Sequence, residues 1–184
     1  MKRVFDIVAS LGGLLVFGLP ILILIWLIRR DSEGPGLFVQ QRMGREHRIF
    51  TCYKLRTMRA DTVLAASHET PRSAVTPLGM TLRKWKLDEL PQLWNVLRGE
   101  MSFVGPRPCL PMQHELIAER EAKGIFAQTP GITGLAQVQH IDMSDPRRLV
   151  AVEAQYLANH SFVGDLLLIL RTVTGGGVGD RVAH

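Results

Sequence analysis

Thiols and aromatic rings are scarce in this chain. Its two cysteines, Cys52 and Cys109, stand far apart, with no CxxC pair and no Cys/His cluster at zinc spacing. Neither a disulfide framework nor a zinc centre organises such a sequence, and both thiols read as reduced and structural, on the cytoplasmic side. Aromatic residues make up 7% of the chain and mostly sit inside apolar runs. The lysine-rich stripe with interleaved aromatics that single-stranded nucleic acid needs is therefore missing, and no nucleic-acid partner is expected. No internal repeat is evident.

What is present is a chain of 184 residues, enough for one domain with a real core and short for two. The formal charge of +5 and the pI near 9.7 suit nucleic acid, an anionic membrane surface or a phosphate-rich substrate alike. The choice has to come from the order of the residues.

From Ile7 to Ile28 the chain is almost uninterruptedly apolar, and about 20 such residues suffice to cross a bilayer as a helix. A cleaved signal peptide would have a shorter run and a small-residue cleavage site, whereas this one ends in Trp26, Arg29 and Arg30. An ordinary transmembrane helix would be marked as cytoplasmic on one flank. Here Lys2 and Arg3 precede the run and Arg29 and Arg30 come after it, so both flanks carry the mark. Pro20, with Gly18 close by, should kink the helix. A re-entrant helix that enters and leaves by one face satisfies the kink and the charges. Driving either basic end across adds about 2.5 to 3.5 kcal/mol per buried charge on insertion scales.

Asp31 to Gly36 is turn-rich and reads as the exit from the membrane. Leu37–Arg42 and Arg48–Met58 read as two strands of a hairpin around Gly44, Arg45, Glu46 and His47. Period two puts Lys54 and Arg56 on one face of the second strand; taken alone, that is a solvated edge of the kind that discourages strand pairing. The polar stretch from Arg59 to Thr76 reads as a loop or short helix, with His68 and Glu69 an exposed pair rather than a catalytic one. Thr76 and Pro77 cap and open a helix to about Lys84, which delivers Arg83 beside the acids Asp88 and Glu89.

From Arg83 to Pro108 the chain reads RKWKLDELPQLWNVLRGEMSFVGPRP. Asp88 and Glu89 stand just ahead of Pro91, at a helix start. Leu90, Leu93, Trp94 and Leu97 predict one apolar face, and Gly99 a stop. Such an acidic pair is ordinarily a cap that complements the helix dipole. These two acids, however, lie among Arg83, Lys84, Lys86, Arg98 and Arg107. A carboxylate pair among cations is what phosphoryl transfer needs: a nucleophile or metal ligand, plus positive charge for the phosphoryl oxygens.

Beyond Pro108, Met112–Lys123 reads as a charged helix closed by Gly124, its charges a solvated face. Thr129–Gly134 is a glycine-bearing loop leading into a short strand, Leu135–Val138. Asp145 and Pro146 open a helix to about Asn159. Asp165–Val173 is too short to span a bilayer. It reads either as a segment lying on the membrane surface with Arg171 toward lipid phosphates, or as a buried core helix.

The run LDELPQLWNVLRGEMSFVGPRP resembles the signature of the bacterial sugar transferases, the monotopic phosphoglycosyl transferases. YKLRTM at 53–58 and PGITG at 130–134 are similar to further segments of that family. The likeness runs from Lys2 to about Arg171, as a minimal catalytic unit with no transmembrane bundle in front. It departs at Leu19, where a serine usually precedes the breaking proline, at Glu153, where an aspartate is usual before the tyrosine at 156, and at Trp85 and Lys86, where small polar residues are common.

The resemblance implies transfer of a sugar-1-phosphate from a UDP-sugar to undecaprenyl phosphate. The products would be undecaprenyl-diphosphate-sugar and UMP, formed through a covalent Asp88 intermediate, as a first membrane step of bacterial glycan biosynthesis. It implies Asp88 as nucleophile and Mg²⁺ contact, with Glu89 as its partner. Lys54, Arg56, Arg83 and Arg107 would neutralise phosphate, Pro130, Gly131 and Thr133 would bind substrate, and Leu19 and Pro20 would mark the break in the anchor. The expected fold is α/β in the mixed α+β sense. It comprises a re-entrant membrane helix at 1–30, a catalytic domain at 31–174 on the cytoplasmic face of the inner membrane, with a hairpin and several short and interfacial helices, and a disordered tail at 175–184. Membrane lipids are partners, and a homo-oligomer is allowed. The competing reading is a noncatalytic membrane-tethered module that binds nucleotide sugar or lipid phosphate. The Asp-Glu pair and its cations argue against it, because loss of turnover would release them.

Overall fold

The structure, a computed structural model, describes residues 1–62 and 72–174; His68, Glu69 and the tail from residue 175 lie outside the described residues. Helices are mixed with two small two-stranded sheets, a mixed α+β fold with one long apolar helix at the N-terminus.

That helix, α1, spans Lys2–Asp31 with Pro20 inside it. Helical structure continues through Leu19 and Pro20, where the break in the anchor is expected. Both ends of α1 grip the same body. At its start, Lys2 Nζ donates to Val104 O at 2.9 Å and pairs with Asp165, and Arg3 donates to Val96 O and Leu97 O at 2.6 and 2.7 Å. Asp6, buried, accepts from the Phe103 N–H at 3.1 Å. At its far end Ile28 packs with Leu55 and Leu82, and Arg56 donates to Ser32 O at 2.8 Å and to Glu33 O. Between them Leu15, Leu19 and Leu22 are exposed.

The predicted hairpin is formed by β1, Leu37–Met43, antiparallel to β2, Ile49–Leu55, with Gln40 opposite Cys52. Its turn, Arg45–His47, is a 3-10 turn in which Glu46 and His47 take positive φ. β2 ends at Leu55, short of the expected Met58: the Arg56 N–H makes one more bond in the same register, to Gly36 O at 2.9 Å, and Met58 bridges instead to Val75. Burial alternates from Ile49 to Lys54 and then stops alternating, since Leu55 is buried as well as Arg56.

α2, Pro77–Lys84, is capped as expected by Thr76, whose hydroxyl accepts from the Gly79 N–H at 3.0 Å. The acids come next in a separate 3-10 turn, Leu87–Glu89, ahead of α3, Gln92–Arg98, rather than inside its first turn. Gly99 closes α3 at φ 84°. The buried face of α3 is Gln92, Leu93, Asn95 and Val96, not the predicted stripe, and Trp94 is 47% exposed. Two packing directions explain this: Leu93 lies against Gly13 of α1, and Val96 against Phe50 and Cys52 of β2.

A second sheet, which the sequence pattern did not reveal, pairs β3, Ser102–Val104, in parallel with β4, Gly131–Thr133. Leu135–Val138, expected as a strand, is instead the short helix α5. The strand falls one step earlier because Gly131 can approach Gly105, where any Cβ would sit 2.1 Å from the Gly105 nitrogen. α4, His114–Ala122, and α6, Pro146–Ala158, enclose the main core around Cys109, Leu116, Ile125 and Leu149. α4 is not simply a solvated face, since Arg120 is 2% exposed. α7, Phe162–Val173, has something of both predicted readings: Asp165 and Leu168 face inward, while Val163, Leu167, Leu170 and Val173 face outward.

Candidate active site

The acids are placed by the turn that precedes α3. Lys86 adopts the left-handed conformation at φ 56°, unusual for a residue with a side chain, and reverses the chain after α2. Asp88 and Glu89 then fall inward, 4% and 7% exposed. α3 is stitched to the free edge of β2 by Asn95, fully buried. Its amide donates to Thr51 O at 2.7 Å and its carbonyl accepts from the Tyr53 N–H at 3.1 Å. This substitutes for a third strand and brings Lys54 to the acids.

Glu89 Oε1 receives Arg107 Nη2 at 2.6 Å and faces Lys54 Nζ at 3.5 Å. Arg83, on α2, donates from Nε to Thr57 Oγ1 at 2.8 Å. Burial pulls the Lys86 ammonium below its usual pKa against the pull of Glu89, with Arg107 adding to the fall. Among the described residues no group of three or more His, Cys, Asp or Glu gathers to hold a metal by itself. The donor set is one or two carboxylates, which suits a Mg²⁺ ion completed by substrate phosphates and water.

Arg107 reaches Glu89 from a loop whose carbonyls are each held. Pro106 O accepts from Gly131 N–H at 2.9 Å, Arg107 O from Arg120 Nη2 at 2.9 Å, and Pro108 O from Arg42 Nη1 at 3.0 Å. Two prolines fix φ on either side. Arg120 is itself clamped by Glu153, Nε to Oε2 at 2.9 Å and Nη2 to Oε1 at 2.6 Å. Burial works against the Arg120 charge, but the Glu153 carboxylate more than offsets it and holds the guanidinium above its ordinary pKa.

Beside the acids opens a cavity of about 520 Å³. Phe5, Ala9, Gly13 and Phe17 of α1, Leu90 and Leu93, and Ile169 and Val173 of α7 give it an apolar wall. Lys86, Glu89, Arg107, Thr133, Gln137 and Thr172 add polar groups to its lining. Of these, Gln137 Nε2 is buried and, among the described residues, meets no acceptor, a state that costs about 1–3 kcal/mol. A larger cleft of about 830 Å³, between the hairpin turn and the start of α1, holds neither acid.

A sequence profile described as bacterial sugar transferase matches residues 1–176. The chain belongs to this family. It is similar, at 40% identity over 94% of its length, to the undecaprenyl-phosphate glucose phosphotransferase of Komagataeibacter xylinus, and at 35% to the undecaprenyl-phosphate galactose phosphotransferase of Salmonella typhimurium. A third relative, 38% identical over 94% of the chain, is the UDP-glucose:undecaprenyl-phosphate glucose-1-phosphate transferase of Caulobacter vibrioides. The chain spans 35%, 39% and 68% of these proteins' own lengths.

Of the residues that the bacterial sugar transferase signature singles out, Lys54 and Arg107 come together at Glu89, Asp88 is buried next to Glu89 in the chain, and Glu89, Arg107 and Thr133 line the cavity. Arg83 stands on the adjoining α2. Arg56 is elsewhere, bonded to the carbonyls that end α1. Pro130 and Gly131 act through the backbone, Pro130 O accepting from Ser102 N–H at 2.8 Å and Gly131 holding Pro106. The sequence pattern did not single out Asn95, Arg120 or Gln137. Asn95 lies inside the LDELPQLWNVLRGEMSFVGPRP run, and an amide at a helix's inward position is the signal that could have found it.

Proposed function

We propose that this chain transfers a sugar-1-phosphate from a UDP-sugar to undecaprenyl phosphate at the cytoplasmic face of the inner membrane. The observation that carries the proposal is a cavity lined both by a buried carboxylate–arginine pair, Glu89 and Arg107, and by apolar residues of α1 and α7. An acceptor with a phosphate head and an isoprenoid tail matches both. A soluble acceptor would have no use for the wall.

In this reading an Asp88 oxygen attacks the phosphorus that bears the sugar. The bond to the UMP oxygen breaks, UMP leaves, and an acyl phosphate remains. An oxygen of undecaprenyl phosphate then attacks the same phosphorus and releases the Asp88 carboxylate. Splitting the transfer lets the two substrates bind in turn. Arg107 and Lys54 hold Glu89 as a carboxylate and meet the anionic diphosphate, with Arg83 and Lys86 on the flank. Asp88, with Glu89 beside it, would hold Mg²⁺, which when bound screens the repulsion between carboxylate and phosphate. The anchor is re-entrant in this reading. Its support is that both ends of α1 dock on one domain while its middle is exposed and apolar.

The test is UMP release from a panel of UDP-sugars by detergent-solubilised protein with undecaprenyl phosphate and Mg²⁺, beside Asp88→Asn. UMP that depends on lipid and metal and vanishes in the variant is expected. Silence of the wild type on every donor, with UDP-sugar still bound, would favour a noncatalytic module.

A further inference from the structure

The polar lining of the cavity contains a second kind of chemistry besides its charges. Thr172 donates its hydroxyl to Leu168 O at 2.8 Å, so in the 2.6 Å contact between Thr133 and Thr172 the proton comes from Thr133. The lone pairs of Thr133 Oγ1 are left as acceptors. Gln137, on α5 and only 8% exposed, packs its Oε1 against Gly134, and its Nε2 is the donor without a partner among the described residues. Thr133 and Gln137 line one cavity four residues apart, across the extended Gly134 that starts α5.

The patch thus offers one neutral donor and one neutral acceptor. A phosphate oxygen only accepts, and would use Gln137 alone. A hydroxyl donates and accepts, and uses both. Phosphate is already served by the cations around Glu89. Building on the transferase reading, we infer that Gln137 and Thr133 bind a hydroxyl of the sugar carried by the donor, and thereby set which sugar is accepted. A site built to hydrogen-bond a hydroxyl rejects an analogue that lacks it, because its own polar groups are then left unpaired.

The experiment takes the UDP-hexose that the wild type turns over best, together with its monodeoxy analogues, and compares wild type with Gln137→Met and Thr133→Val. Each variant is expected to lose ten- to hundredfold in kcat/KM for the parent donor, with KM for undecaprenyl phosphate unchanged. One deoxy analogue should lose the same factor on the wild type and be turned over equally by all three proteins. Gln137→Met should unfold at the wild-type temperature or above, since it removes a buried donor without an acceptor. Three results overturn the inference: kcat/KM unchanged in both variants, a loss that is the same across every deoxy analogue, or a loss that appears in the acceptor's KM. If the wild type turns over no donor, the transferase reading falls by itself. The patch is then judged by calorimetric affinity for UDP-glucose, UDP-galactose and their deoxy analogues, read for the same coincidence at one hydroxyl.

Discussion

Glu89 is the point where the fold and the charges of the site meet, because Arg107 and Lys54 approach the same oxygen. Arg107→Lys keeps the charge but gives up the planar fork. UMP release should fall about 10²- to 10³-fold, the usual loss when one preorganised donor is removed from a developing oxyanion. A variant within twofold of wild type would mean that Arg107 serves only Glu89. The two thiols allow a prediction about pH. Burial pushes both Cys52 and Cys109 above the ordinary 9.0. A group whose pKa is raised on folding contributes stability below its unfolded pKa and loses it as pH rises through the folded value. The urea midpoint should therefore hold to about pH 9 and then decline. At pH 8 a thiol-reactive dye should label neither cysteine until the chain unfolds; rapid labelling of the native protein would contradict the burial. At this scale the sequence was most legible where a residue type has one job. Asp88, Glu89, Lys54 and Arg107 could be read from a carboxylate pair among cations. Arg56 could not, because nothing in the local pattern shows that its guanidinium is taken up by the carbonyls that end α1.

Each element is held by polar groups that periodicity cannot reveal. Arg56 takes the carbonyls that end α1, so Arg56→Ala should lower stability by about 1–3 kcal/mol while leaving KM for the sugar donor unchanged. A rise in that KM with no loss of stability would return Arg56 to the phosphates. The Arg120–Glu153 clamp joins α4 to α6 and holds the Arg107 carbonyl. Glu153→Gln, which strands the guanidinium, should cost about 3–5 kcal/mol in urea unfolding. The double variant Arg120→Met, Glu153→Leu should recover most of that stability but not the activity. The loop that aims Arg107 would have lost a donor, and a misplacement of about 1 Å can cost on the order of 10²-fold. Full activity in the double variant would make the clamp structural only. The capped helices α2 and α6 were legible because Thr76-Pro77 and Asp145-Pro146 are local signals. The β3–β4 sheet was not, because its pairing rests on Gly105 and Gly131 meeting across a long separation in sequence.

For the whole molecule, the decisive geometry is that α1 is fastened twice, at Lys2–Asp6 and at Ile28–Ser32. If the anchor is re-entrant, a cysteine appended ahead of Met1 and the separate variant Asp31→Cys should both resist an impermeant maleimide in spheroplasts and both react in inverted membrane vesicles. Labelling of one from each side would make α1 a spanning helix. A body on a single tether tumbles, and its active site would sample every height and tilt above the bilayer. In the proposed re-entrant arrangement two fastenings remove that freedom and hold the acids at one depth. The search for the proposed lipid acceptor would then be planar. Its encounter rate is set by lateral diffusion in the leaflet and by acceptor density per unit area, so diluting the cells or vesicles in more buffer should leave the second half-reaction unchanged.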